Sequence, residues 1–212
     1  MMKGMFFGNK HSFDDLNLIL SKAEIPPATP KFAFVDLAGG DGSVDLTEAL
    51  GEVKFNNREC TFTFTVLPSD DFEDKKREVS NLLNGRRFNI TLDKDPDYYW
   101  DGRCSVNEYV SDKMLRQIVV GAVVAPYKLK TTQTVVNVPA GSSVAKTLQN
   151  GRKTVVPIIT TTAEATIVFG GNTFKVGAGT HKILNIELNE GENRITVTSA
   201  GTTKFTYQEG DL

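Results

Sequence analysis

One stretch limits the fold more than any other. Cys60, Phe62, Phe64 and Val66 alternate with Thr61, Thr63 and Thr65. Side chains on a strand point to opposite faces with a period of two, so this run is a half-buried strand with its threonines outward. Val53 and Phe55 alternate in the same way with Glu52 and Lys54. Asn56-Asn57 lies between the two runs, and asparagine tolerates the positive φ of a tight turn, which predicts a hairpin over residues 52–66.

The next segment reads as a helix. Ser69 is placed to cap it, and Asp70 and Asp71 fall where the helix dipole favours negative charge. Phe72, Val79, Leu82 and Leu83 form one stripe, with Asp71–Lys75 and Glu73–Arg77 as i,i+4 pairs on the wet side. Gly85 suits the left-handed residue that ends a helix. Phe88, Ile90 and Leu92 then alternate in a further strand. The order strand, strand, helix, strand lays the helix across a sheet.

Around this centre, residues 4–7 read as a first strand, and residues 14–20 as a turn entering a second. Pro26, Pro27 and Pro30 remove backbone donors, so that segment is an edge or a connecting arm. Residues 32–37 are apolar on both faces and predict a buried strand. Residues 38–44, AGGDGSV, are a flexible loop, followed by a single helical turn over 45–50. Residues 93–97 form a turn into a strand over 98–110, Asp112-Lys113 a bend, and residues 115–125 a last strand.

The polar run 128–134 marks a boundary, which gives a domain over residues 1–129 and a second over 130–212. The second shows no helix. Turn signals at Gly141-Ser142-Ser143, Asn150-Gly151, Gly170-Gly171-Asn172 and Ser199-Ala200-Gly201 recur at strand-length spacing. Strands are expected over 155–159, 165–169, 173–176, 183–188, 194–198 and 204–207, which is the pattern of a small antiparallel sandwich.

Composition decides what the chain is not. With 40% hydrophobic and 24% charged residues it is an ordinary globular protein, and a net charge of −2 offers no basic surface for nucleic acid. The N-terminus lacks the apolar core of a signal peptide, so the expectation is a protein made in the cytoplasm; its longest apolar run, 118–125, is too short to span a bilayer. Cys60 and Cys104 sit in strand-like runs and read as two buried free thiols, with a single bridge between them as the alternative. His11 and His181 lie in different domains without cysteine or histidine neighbours, and read as surface or turn residues rather than ligands or catalysts.

No catalytic, nucleotide-binding or metal motif survives inspection. Asp41, Ser43, Asp45 and Glu52 mimic a calcium loop, but Leu46 stands where that loop needs glycine. Asp93, Asp95 and Asp97 read as a solvated turn. The nucleophile elbow, the dinucleotide fingerprint and the phosphate loop are all missing from the sequence. The expectation is a protein that is not an enzyme and has no cofactor, metal or catalytic residue. Tyr98-Tyr99-Trp100 is the one dense aromatic cluster, with one face for the core and the other for an interface.

The order of several segments carries a resemblance. The series G-x-D-G-x-x-D-L-T-E-A-L-G (39–51), then N-N-R (56–58), then alternating phenylalanines resembles the distal tail proteins of bacteriophages with long, flexible, non-contractile tails. SFDDLNLIL, DPDYYWDGRC, NGRKTVVP and the closing ENRITVTSAGTTKFTYQEGDL agree with it, in the right order over nearly the whole chain. The resemblance implies a mainly β protein: an N-terminal split β-barrel with one packed helix and a C-terminal galectin-like β-sandwich. It implies a hexameric ring in the virion tail, assembled in the bacterial host cytoplasm. Its partners would be the tail-tube protein, the tail-tip protein and receptor-binding proteins, with DNA passing through the channel unread and no membrane insertion. Galectin's sugar-binding set of histidine, asparagine, arginine and tryptophan is not visible here. The residues expected at an oligomer or partner interface are Pro26, Pro27, Gly39, Gly40, Asp41, Gly42, Tyr99 and Trp100. The competing readings are a carbohydrate-binding module for host attachment, a wall hydrolase, and a related tail-tube or baseplate subunit.

Overall fold

The computed structural model describes residues 4–49, 51–112 and 115–212. The chain is mainly β, with one helix among the described residues and several antiparallel sheets. It divides into two compact units, Met1–Lys128 and Leu129–Leu212.

The first unit carries β1 (Met5–Phe7), β2 (Lys10–His11), β3 (Leu18–Glu24), β4 (Phe34–Asp36), β5 (Ser43–Asp45), β6 (Arg58–Val66), α1 (Phe72–Leu83), β7 (Arg87–Leu92), β8 (Asp95–Ser111) and β9 (Arg116–Val124). One sheet runs in the order β2-β1-β7-β8-β9-β6-β3. The alternation in β6 is as expected: Cys60, Phe62, Phe64 and Val66 are buried, and the threonines between them are not. Phe7, Leu18, Ile90, Leu92 and Ile118 meet them in one core. Complete burial of each such side chain stabilises by about 1.5–3 kcal/mol.

The hairpin expected over 52–66 does not form. Both edges of β6 are taken, one by β3 and the other by β9, so residues 53–55 have no edge to join. Phe55 instead makes a lone bridge to Pro30. The helix is where the stripe places it and buries Phe72, Val79 and Leu83. Its cap is Asp71, whose carboxylate accepts from the Asp74 backbone N–H at 2.9 Å, and not Ser69. Its ion pairs are the i,i+3 contacts Lys76–Glu73, Lys75–Glu78 and Arg77–Asp74, with Lys75 also 3.6 Å from Asp70, and not the i,i+4 pairs. Gly85 follows the helix at φ 75°, as expected.

Asp95 and Asp97 belong to β8 rather than to a turn, because the strand starts earlier than its aromatic cluster suggests. Lys113 and Leu50, parts of the expected bend and helical turn, lie outside the described residues. Cys60 and Cys104 are free thiols. Both face Ala122, one from each side of β9, so two strand spacings of about 4.8 Å separate them, beyond the reach of a disulfide. Burial pushes their pKa up, to about 11 for Cys60 and about 12 for Cys104.

β10 (Lys128–Lys130) leads into the second unit, which holds β11 (Thr134–Val138), β12 (Gly141–Asn150), β13 (Ile158–Thr161), β14 (Ala165–Phe169), β15 (Asn172–Val176), β16 (Gly179–Lys182), β17 (Gly191–Ser199), β18 (Thr203–Tyr207) and β19 (Gly210–Asp211). Two four-stranded sheets, β11-β18-β13-β16 and β12-β17-β14-β15, share a core of Val138, Leu148, Ile159, Ile167, Ile195, Val197 and Phe205. That arrangement is a β-sandwich. Residues 183–188 form no strand; Leu188 only bridges Val155, and the edge beside β13 is filled by β16. β12, the longest strand of this unit, runs through residues whose glycine and serines suggested a turn. It lies at the edge of its sheet, and only Leu148 and Asn150 along it are buried, so it shows no apolar alternation.

Candidate interaction surface

Between β3 and β6 the chain leaves the main sheet as an arm. Pro26 and Pro27 are exposed at its base, where prolines cannot extend the ladder of β3. The two legs then pair. Asn56 donates its N–H to Thr29 O at 2.9 Å, Lys31 N–H to Lys54 O at 2.8 Å, and Leu46 N–H to Ala33 O at 2.7 Å. Further out, Phe34 pairs with Asp45, Val35 with Val44 and Asp36 with Ser43. The turn at the tip holds Gly39, Gly40, Asp41 and Gly42, with Gly39 at φ 81° and Gly42 at φ 74°, a region that favours glycine.

The expected buried strand over 32–37 is therefore wrong in its burial. Phe32 is 63% exposed, Phe34 58% and Leu37 57%; Val35, Val44 and Leu46 are exposed as well. The residues are apolar on both faces, but the described residues supply no second layer over either. Register puts Val35 and Val44 on an aliphatic face, which the i,i+2 alternation of extended chain carries on to Leu37 and Leu46 just beyond the ladder, and leaves a mixed face opposite. On the mixed face Phe32 and Phe34 stack at 5.8 Å, and Ser43 donates to Asp36 at 2.6 Å. Asp45 accepts from the Thr47 backbone N–H at 2.8 Å, and its bonds to Thr47, side chain first and backbone second, hold its pKa below the usual value.

The structure thus brings Pro26, Pro27, Gly39, Gly40, Asp41 and Gly42 onto one projecting arm. Tyr99 and Trp100 lie elsewhere, on β8. Tyr99 is half-buried, and burial followed by the nearby Asp101 charge raises its pKa. Trp100 is 7% exposed and belongs to the core, which removes it from the candidate surface: on β8 its side chain takes the inner face of the pleat.

A second surface feature went unseen in the sequence. A groove of about 540 Å³ opens on the outer face of β7, β8 and β9, with Arg87, Asp101, Arg103, Val123 and Ala125 in its lining. Register puts Arg87 beside Arg103 and Arg103 beside Val123. Arg87 grips Asp101 through two bonds of 2.6 Å, which lower the Asp101 pKa and raise that of Arg87. Arg103 donates instead to the Gly85 carbonyl oxygen at 2.6 Å. The signal available beforehand was the Arg86-Arg87 pair after Gly85, which nothing tied to Arg103.

His11 is not a surface residue. It is buried under Phe6, its Nδ1 accepts from the Asp14 backbone N–H at 3.1 Å, and its Nε2 lies 3.2 Å from the Asp93 carboxylate. The Asp93 contact ties β2 to the turn between β7 and β8. His181 bonds the Gly177 carbonyl oxygen at 2.8 Å. Among the described residues no group of three or more His, Cys, Asp or Glu could hold a metal ion, and no helix is long and apolar enough to cross a membrane.

No protein-family model matches the chain, and no curated protein matches it in sequence. Solved structures do match. One is the Dit (gp 19.1) protein of phage SPP1, whose crystal structure is described as a paradigm of the hub adsorption apparatus in phages that infect Gram-positive bacteria. Its identity to this chain is 14%, with a TM-score of 0.70, over 97% of this chain and 98% of that one. The chain therefore has the fold of a phage distal tail protein across both of its units.

Proposed function

We propose that the protein is a structural component of a phage tail, a hub subunit that closes into a hexameric ring at the tail's distal end. The observation that carries this reading is the fold match over 97% of this chain and 98% of the other. In this reading the first unit, a split barrel, builds the ring. One face meets the tail-tube protein and the other the tail-tip protein. The galectin-like second unit points outward, where receptor-binding proteins attach, and DNA crosses the central channel unread. The protein works in the virion tail after assembly in the host cytoplasm, without catalysis or cofactor. The arm from Pro26 to Asn57 is the contact surface, with Gly39, Gly40, Asp41 and Gly42 at its tip. Tyr99 flanks the interface.

The exposed apolar arm supports this role, because a two-stranded ribbon is at best marginally stable alone in water and needs a covering partner. Carbohydrate binding has less support. The groove on the outer face of β12, β14 and β17 is lined by Lys146, Thr147, Val168, Arg194 and Thr196, with no aromatic ring on which a sugar would stack. The test is deletion of Gly39–Ser43, read by solution mass and negative-stain imaging. The expected product is a folded monomer that forms no ring; an intact ring would remove the arm from the interface.

A further inference from the structure

The arm and the groove are complementary, and both belong to one chain. Between Phe32 and Val53 the arm carries Asp36, Asp41, Asp45, Glu48 and Glu52 and no lysine or arginine. The groove offers the opposite chemistry. Its apolar floor is Val123, 49% exposed, with Ala125 beside it. Its Asp101 is neutralised by Arg87, and Arg103 meets no carboxylate among the described residues. A ribbon of net negative charge with an aliphatic face fits a groove with an arginine unpaired among the described residues and an aliphatic floor: Asp36 and Asp45 lie on the ribbon's other face, so opposite charge steers the approach while apolar contact supplies the affinity.

We propose that the arm of one copy docks in the Arg87–Arg103–Val123 groove of the next copy. This rests on the ring reading and specifies its contact. Arm and groove are different patches, so the contact is head-to-tail: each copy that gives its arm still has an empty groove. Such contacts propagate from copy to copy and close into a ring when the rotation between copies closes. A face that paired arm with arm would stop at a dimer.

The experiment is disulfide trapping in the full chain. Leu37→Cys places a thiol on the aliphatic face of the arm, and Val123→Cys places one on the groove floor. The native Cys60 and Cys104 are 3% and 1% exposed and stay out of the reaction. Trp100 fluorescence confirms that each variant is folded. Under mild oxidation the double variant is expected to give a ladder of covalent oligomers ending at the closed ring, while each single variant stays monomeric on a denaturing gel. Adding Arg103→Glu is expected to cut the crosslinked yield several-fold. Dimers from Leu37→Cys alone would overturn the proposal in favour of arm-to-arm pairing. A ring by light scattering without any ladder would overturn the docking and leave the ring reading standing. A monomer without any ladder would overturn both.

Discussion

Replacing Arg58 by methionine is expected to stabilise the first unit. Arg58 opens β6 and is 7% exposed, with its Nε and Nη2 atoms buried and without a hydrogen-bond partner among the described residues. Burial lowers its pKa, the sign of a charge held away from water. A buried donor left unsatisfied costs about 1–3 kcal/mol, and exchanging buried charge for well-packed apolar atoms is often neutral or stabilising. Methionine keeps most of the aliphatic stem and adapts to irregular space. The expected gain is about 1–3 kcal/mol after the loss of the stem's outer contacts is allowed for. The assay is urea unfolding followed by Trp100, the chain's single tryptophan, which sits 7% exposed in the same core. With an m-value of about 1–3 kcal/mol/M, the midpoint moves up by about 1 M. An unchanged or lower midpoint would refute the argument, because it would mean that the guanidinium is already well solvated or paired.

Gly102→Ala is expected to destabilise the first unit by about 1–3 kcal/mol in the same assay, since its Cβ would lie 2.5 Å from Val124 Cγ1 and 3.0 Å from Val123 O. Asp71→Ala removes the α1 cap and is expected to cost about 1 kcal/mol, read as a lower midpoint. Tyr207→Phe strands the Gln149 carbonyl that the phenol bonds at 2.6 Å, and is expected to lower the second unit's stability by about 1 kcal/mol in calorimetry. Alkali should weaken the first unit. Cys60 and Cys104 are raised by burial from 9.0 to about 11 and about 12, so the native state holds their protons longer than the unfolded one. Their contribution is full below pH 9 and falls as pH rises towards 11–12. The Cys60→Ala, Cys104→Ala double variant should show a shallower decline over that window.

The parts of the fold visible in the sequence are those whose period matches their burial. β6, α1, β7, β14 and β18 each bury one face or one stripe, and alternation or helical spacing shows it. What went unseen depends on pairing between distant segments. The 52–66 hairpin looked sound locally, but β3 and β9 compete for the same edges. β12 is hidden because only Leu148 and Asn150 along it are buried, too few to show a period. The arm misleads for the reverse reason: Phe32, Phe34, Val35 and Leu37 look like core, and only the topology shows that none of the described residues forms a second layer over them. The arm's glycine tip was legible from composition. The groove was not, because Arg87, Arg103 and Val123 meet only through the register of three strands.

Assembly into a ring is the central claim. Light scattering across a concentration series of the purified chain measures it directly. The account predicts one discrete mass near six times the 23.3 kDa of the chain, with rings in negative stain. A monomer at every concentration would contradict it.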